Sequence, residues 1–109
     1  MTDYIQVYLT TPTPEAAQAI AERLLAERLA ACVQIGGPIE SRYRWQGKME
    51  ISQEWHCTVK SRLDLFPRIE AAVRSLHPYD VPEILATTLV AGHAEYLAWL
   101  DQELLPDHP

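Results

Sequence analysis

A short stretch from His77 to Glu83 holds several side chains that could do chemistry; it reads His-Pro-Tyr-Asp-Val-Pro-Glu. It supplies an imidazole, a phenol and two carboxylates, and these are ligand types for a divalent cation. Its two prolines exclude helix and regular strand and keep the preceding residues extended. The stretch therefore predicts a stiff connector that holds functional groups in place, or alternatively a tight turn with solvated polar groups.

The spacing within this connector matches no dense metal motif such as HExxH or an EF-hand loop. A complete metal site from this segment alone is therefore not expected. We predict instead a site shared with another segment or another subunit, with His77 and Glu83 as the metal candidates.

The two cysteines, Cys32 and Cys57, have no CxxC spacing and are too few for a disulfide framework. Cys32 is either a small buried hydrophobic residue or a thiolate that takes a soft metal or acts as a nucleophile. Cys57 is predicted to belong to the core. For His56 we favour packing against a neighbour over a titrating role.

Aromatic and basic residues alternate in Tyr43-Arg44-Trp45-Gln46-Gly47-Lys48. Tyr43 and Trp45 either brace a hairpin or dock on a neighbouring chain, or they form a wall of a ligand cleft. Lys60 could pair with Glu83 or bind an anion. The sequence has no Gly-rich phosphate loop and no Ser-His-Asp signature, and nothing in it nominates a reaction, so we predict that the protein is not an enzyme.

Length and charge narrow the class of protein. A chain of 109 residues predicts a single domain spanning residues 1–109. A net charge of −6 argues against nucleic acid or an anionic membrane as the main partner, since both need a basic footprint. The N-terminus does not resemble a secretion signal, no apolar run could span a bilayer, and a reducing cytoplasm is the expected location.

Hydrophobic periodicity predicts four strands and three helices. Thr13 and Pro14 form a helix start, Gln46-Gly47 a tight turn, and Gly36-Gly37-Pro38 a bulge or bend within the second strand. The predicted strands cover residues 4–10, 30–45, 49–62 and 84–90, and the predicted helices cover residues 14–29, 65–76 and 94–105. The third strand and its predecessor make a hairpin that is long for so small a protein.

The element order β-α-β-β-α-β followed by a helix predicts an α+β, ferredoxin-like sandwich with both main helices on one face of an antiparallel sheet. The inward side chains of the sheet are predicted to be Ile5, Val7, Leu9, Trp55, Cys57, Val59, Ile84 and Ala86. The other face would carry Tyr4, Gln6, Tyr8, His56, Thr58, Leu85 and Leu89. That second face has little charge, so we predict that another subunit covers it.

Three segments together resemble the CutA divalent-cation tolerance proteins. They are residues 27–33 (Glu-Arg-Leu-Ala-Ala-Cys-Val), residues 43–48 and residues 77–83, joined by the Thr-Thr-Pro after the first strand and Tyr-Leu-Ala-Trp in the last helix. The resemblance covers nearly the whole chain. It implies a ferredoxin-like protomer assembled as a tight homotrimer, similar in architecture to PII signalling proteins.

The resemblance also implies which residues line a cleft between subunits. The matching positions are Cys32, Tyr43, Trp45, Lys60, His77, Tyr79, Glu83, Tyr96 and Trp99. In bacterial members copper ligation is attributed to a strand cysteine and a His-His pair before Pro-Tyr. Here the second histidine is His77, but the other two positions hold Leu76 and Leu9, so that copper site does not carry over whole.

The leading hypothesis is a trimeric, metal-responsive protein that binds Cu(II) or another divalent cation weakly at an intersubunit site and uses no organic cofactor. The alternative is a PII-like signalling or scaffold trimer whose cleft takes a small ligand or a protein partner. A third hypothesis is a small enzyme with Cys32 as nucleophile and His77 as base.

Overall fold

The computed structural model describes residues 3–106 and contains a four-stranded antiparallel sheet with the order β2-β3-β1-β4. The elements are β1 (Tyr4–Thr11), α1 (Pro14–Ala26), β2 (Cys32–Trp45), β3 (Lys48–Arg62), a 3-10 turn (Leu63–Leu65), α2 (Phe66–Leu76), β4 (Ile84–Thr88) and α3 (Ala94–Glu103). This order confirms the α+β, ferredoxin-like sandwich with a long β2-β3 hairpin and an extra C-terminal helix. Among the described residues, no helix is long and apolar enough to cross a membrane.

The pairing of β1 with β3 decides which side chains enter the core. Val7 lies opposite Val59 and Leu9 opposite Cys57, and all four side chains are fully buried. They pack with inward residues of α1 and α2, such as Ile20. The predicted inward face is confirmed for this central part of the sheet. Toward its periphery Trp55 and Ile84 are half-buried and pack against the core, whereas Ala86, on the edge strand β4, is exposed and its predicted inward position is wrong.

Helix α1 begins as predicted but ends earlier. The Thr13 hydroxyl oxygen accepts a hydrogen bond from the backbone N–H of Ala16 at 3.1 Å, which caps the helix start. The helix ends at Ala26, so the prediction that it extends to residue 29 is wrong. Arg28 has a φ of 57°, in the left-handed region that reverses the chain, and this reversal is what buries Leu29 outside the helix.

The helical spacing of Leu65, Ile69, Val73 and Leu76 predicts that all four point inward. Leu65, which lies in the 3-10 turn, and Ile69 and Val73 of helix α2 are buried, but Leu76 is 38% exposed, so its predicted inward position is wrong. Leu76 is the last helical residue. The next residue, His77, is extended with a ψ of 133°, as expected before a proline. The chain turns inward there, so the imidazole is buried and the leucine remains outside.

The β2-β3 hairpin extends beyond the rest of the sheet. Gln46 and Gly47 both have positive φ, 49° and 79°, as a two-residue hairpin turn requires. The predicted bulge is confirmed, since the register shifts between Gly36 and Ile39. Strand β1 ends opposite Trp55, so the remaining part of the hairpin projects past it, and the protomer measures 45 × 25 × 23 Å.

The C-terminal helix α3 is anchored by a buried guanidinium. Arg62, only 1% exposed, donates to Asp64 Oδ1 at 2.8 Å and Oδ2 at 3.1 Å, to Asp101 Oδ1 at 3.3 Å and to the Leu105 carbonyl at 2.6 Å. Hydrogen bonding to Arg62 holds the pKa of the Asp64 carboxyl below its ordinary value of 3.8. Helix α3 and β4 each end two residues earlier than predicted. The helical spacing of Leu97, Leu100 and Leu104 predicts that α3 packs through them, and Leu100 and Leu104 are buried while Leu97 is half-buried.

The substitution Arg62→Met should lower the free energy of unfolding by about 2 kcal/mol, because it leaves Asp101 and the Leu105 carbonyl without a charged donor. Urea unfolding at fixed protein concentration measures the change. Arg68→Met, at an exposed position of α2, is the matched control and should stay within about 0.5 kcal/mol of wild type. Equal stability of the two variants would contradict the anchoring role.

Candidate functional site

The connector from His77 to Glu83 crosses the sheet where β1 ends. His77 is 8% exposed and its Nε2 lies 2.6 Å from the Thr10 carbonyl oxygen, while its Nδ1 accepts from the backbone N–H of Tyr79 at 3.1 Å. An acceptor at Nδ1 and a donor at Nε2 define the neutral tautomer with its hydrogen on Nε2. Both ring nitrogens are therefore engaged in holding the connector against β1.

The phenol of Tyr79 continues this network to β3. Its hydroxyl donates to Glu54 Oε2 at 3.2 Å, and its ring lies 4.9 Å from the His77 ring. Burial, followed by the charge of Glu54, raises the pKa of Tyr79 above 10.0, so the phenol remains a donor at neutral pH. His77 therefore positions Tyr79, and Tyr79 holds one oxygen of Glu54.

Glu54 lies on β3 one residue beyond the point where β1 pairing ends, opposite Ile39 of β2. The residue is only 6% exposed although it carries a carboxylate. Within residues 3–106 it forms no ion pair, and its Oε1 has no hydrogen-bond partner. Oε1 is not among the fully buried polar atoms that lack a partner, so it faces open space, from which Glu54 can accept a cation or further donors.

Glu54, the connector and the hairpin enclose a cavity of about 640 Å³, which we call the cleft pocket. Its lining combines aromatic rings with carboxylates and one guanidinium. The lining residues are Thr10, Ser41, Arg42, Tyr43, Trp45, Glu54, Pro78, Tyr79, Asp80, Val81 and Glu83. Arg42 is already paired with Glu40 at 2.6 Å, so the uncompensated charge of the lining is negative.

The structure divides the predicted site residues into two groups. Tyr43, Trp45, Tyr79 and Glu83 line the cleft pocket, with His77 behind its wall. The hydroxyl of Tyr43 also lies 3.0 Å from that of Ser52, across the hairpin.

The second group lies at the other end of β3. Cys32 pairs in register with Lys60, and Tyr96 and Trp99 of α3 have ring centroids 5.5 Å apart. Burial, then the charge of Cys32, raises the pKa of the Tyr96 phenol. Lys60 lies six residues from Glu54 along β3, or about 20 Å at ~3.3 Å per residue, so one protomer does not unite the two groups.

The predicted ion pair between Lys60 and Glu83 is wrong. Lys60 Nζ instead donates to the side-chain oxygen of Gln34 at 3.3 Å, because the β2-β3 register places both on the same face near the end of β3.

Sequence reasoning missed Glu54 and gave it no role. The β1-β3 register could have identified it, because Glu54 lies directly next to Trp55, the β3 residue that pairs with Thr11 at the end of β1. The carbonyl of Thr10 was also missed, because backbone acceptors carry no residue-type signal.

The remaining candidates have clear positions. His56 stacks on Tyr8 of the same chain with centroids 5.7 Å apart, and its Nδ1 is buried without a partner among the described residues. The close approach requires glycine at position 36, where a Cβ atom would lie 2.5 Å from His56 Nε2. Packing of His56 against another subunit stays a prediction. Cys57 is fully buried, which raises its thiol pKa to about 11, whereas Cys32 is half-buried.

The side chains of residues 3–106 in one protomer do not form a complete metal site. Among the described residues, no three His, Cys, Asp or Glu side chains converge on one point. A metal at His77 would have to displace either the Tyr79 N–H or the Thr10 carbonyl. The assignment of His77 and Glu83 as ligands stays a prediction.

The substitution His77→Ala should destabilise the protein by about 1–3 kcal/mol even with a chelator present, because it removes two buried hydrogen bonds. Chemical denaturation in EDTA measures this effect. His93→Ala, at an exposed position before α3, should change stability by less than about 0.5 kcal/mol. A His77 variant as stable as wild type would contradict the positioning role.

Comparison with known proteins assigns this architecture. The profile of the CutA1 divalent ion tolerance protein family matches residues 5–103. The divalent-cation tolerance protein CutA of Thermus thermophilus is 47% identical over 94 residues, which are 86% of this chain and 91% of that protein. The crystal structure of CutA1 from Oryza sativa superposes with a TM-score of 0.93 at 37% identity and covers 96% of both chains.

The length of these relatives varies. The chloroplastic protein CutA 1 of Oryza sativa is 41% identical over 96 residues, which are 88% of this chain but 54% of that protein. The chain thus spans nearly all of the Thermus relative and about half of the rice relative. The family profile, the identities and the shared fold all agree, and the chain belongs to the CutA1 divalent ion tolerance protein family.

Proposed function

We propose that this chain serves in divalent-cation tolerance as a homotrimer that takes the cation weakly at a seam between subunits, beside the connector. The relatives are divalent-cation tolerance proteins by name. The observation that carries the assembly is the sheet face opposite α1 and α2. It holds the uncharged side chains of Gln6, Tyr8, Thr58 and Leu85, with Lys60 opposite Gln6 as a charged neighbour.

Exposed apolar side chains also lie on the hairpin, where Ile51 and Met49 point to the face of β3 opposite to that of Thr58. Leu85 is 59% exposed, Ile51 60% and Met49 70%. Strand β2 is 14 residues long and forms an edge of the sheet, with backbone groups available to a neighbouring chain. A large apolar surface beside a long free edge supports burial against further copies of the chain, and the family resemblance supports three of them.

The proposed cation site takes its ligands from Glu83, from His77 and from a second subunit. Since no three ligand side chains converge among the described residues of one protomer, few protein ligands are available there, which supports weak binding. Coordination by Nδ1 of His77 would compete with the Tyr79 N–H, so cation binding would loosen the connector. The proposed role is binding and response rather than catalysis, in the cytoplasm.

Folding and assembly should be coupled. Sedimentation at micromolar concentration should give the mass of three chains, and the melting temperature should rise with protein concentration. Leu85→Lys places a charge on the open face and should shift the sedimenting species toward smaller mass. Leu25→Lys, on the exposed side of α1 at 43% exposure, is the matched control and should leave the mass unchanged. A folded single chain at this dilution would overturn the trimer.

Calorimetric titration with Cu(II) and Zn(II) tests the metal assignment. Wild type should bind weakly and in proportion to subunit number, and Glu83→Gln should weaken binding about tenfold or more by removing an anionic ligand. Glu70→Gln, exposed on α2, makes the same change of net charge and should bind like wild type. If both His77→Ala and Glu83→Gln keep wild-type affinity, these two residues are not the ligands.

A second candidate function is that of a PII-like signalling or scaffold trimer with a small-ligand site. The cleft pocket favours it, because about 640 Å³ is within the size range of small-molecule sites and several aromatic rings line it. A thermal-shift screen separates the two functions: stabilisation by an organic ligand but not by metal ions would favour this one.

A further inference from the structure

The cleft pocket has a charge pattern that selects among small ligands. Glu54 is 94% buried by the residues around it, since only 6% of its surface is exposed, whereas Asp80 and Glu83 are exposed at the same pocket. Negative charge therefore lies both at a buried position and at the rim. Nucleotides and other anions would meet repulsion here, so the pocket favours a cationic ligand.

The carboxylate of Glu54 has hydrogen-bond acceptor positions that no described residue uses. A carboxylate offers about four acceptor positions, and Glu54 uses one of them for the Tyr79 hydroxyl. Its Oε1 has no hydrogen-bond partner among residues 3–106, and the side chain lines the cavity. An ammonium group has three donors and a positive charge, and it would satisfy both needs at once.

The aromatic walls favour an organic cation over a metal ion. Tyr43, Trp45 and Tyr79 line the pocket, and aromatic faces attract alkylammonium groups and cover methylene chains. A divalent metal needs several oxygen or nitrogen ligands at one point, and the described residues bring no three such side chains together. One carboxylate in the pocket wall and further carboxylates at the rim instead suit two cationic groups joined by a chain.

We propose that the cleft pocket binds an aliphatic diamine or polyamine. One ammonium group pairs with Glu54, the methylene chain lies along the rings of Tyr43, Trp45 and Tyr79, and a second ammonium group lies near Asp80 and Glu83. This inference rests on the small-ligand function above and names its ligand class. It uses neither His77 nor any metal, so the metal titration can fail while this proposal stands.

The test is calorimetric titration of the assembled wild-type protein with spermidine and with 1,4-diaminobutane in about 0.15 M salt, where non-specific attraction to net charge is screened. Saturable binding of both amines is expected. The neutral analogue 1,4-butanediol, which keeps the chain but lacks the charges, should not bind. Absence of amine binding, or equal binding of the diol, would overturn the proposal.

Variants locate the site. Glu54→Gln keeps the shape of the side chain but removes its charge, and it should weaken amine binding about tenfold or more, as expected for loss of a charge-assisted hydrogen bond. Glu70→Gln is the control for net charge and should bind like wild type. Equal losses in the two variants would show non-specific attraction and would overturn the assignment.

Two further measurements keep the result interpretable. Trp45→Ala changes a side chain that is 47% exposed at the hairpin, so the fold should persist while amine affinity falls. Unchanged amine affinity in this variant would contradict the proposed role of the aromatic side chains in binding. Sedimentation of Glu54→Gln tests the alternative that Glu54 pairs with a cationic side chain of a neighbouring copy and not with an amine. Wild-type assembly is expected, and loss of assembly would mean that Glu54 serves the subunit interface and not an amine.

Discussion

The pairing of a short strand with a long one is the constraint on which the rest of the structure depends. Strand β1 has eight residues and β3 has fifteen, and their register places Val7 opposite Val59 in the core. A slip by one residue would exchange the buried and open faces of one strand relative to the other. Because β1 ends at Thr11 while β3 continues, the next part of β3 lacks a neighbour on one side, and the connector occupies that position.

The connector can take this position because its shape is largely set before folding. Pro78 and Pro82 restrict the backbone, so little conformational entropy remains to be lost. His77 then attaches it through two hydrogen bonds, one to β1 and one within the connector. The imidazole acts first as a structural element, and any cation that binds it must compete with these bonds. Weak binding would follow from this competition as well as from the small number of ligands.

Periodicity predicted the strands, the core face, the bulge and the turn, because each depends on local residue types. It failed at Leu76, where the prolines that follow turn the chain inward at His77. The site was only partly predictable for the same reason. The aromatic and connector residues stand out by composition, whereas Glu54 becomes important only through the length difference between β1 and β3. Burial of Arg62 likewise depends on α3 returning to the end of β3, a long-range contact.

A divalent metal ion and an organic cation need different ligands to bind at this edge of the sheet. A divalent metal is limited by ligand number, and the described part of one protomer offers an exposed Glu83 and an imidazole already engaged. An organic cation needs only a buried carboxylate and aromatic walls, and these are complete within a single chain. The proposed metal site would therefore depend on assembly, whereas the proposed amine site would not require ligands from a second subunit. Because the open sheet face favours assembly, changes to this face would then affect metal binding more strongly than amine binding.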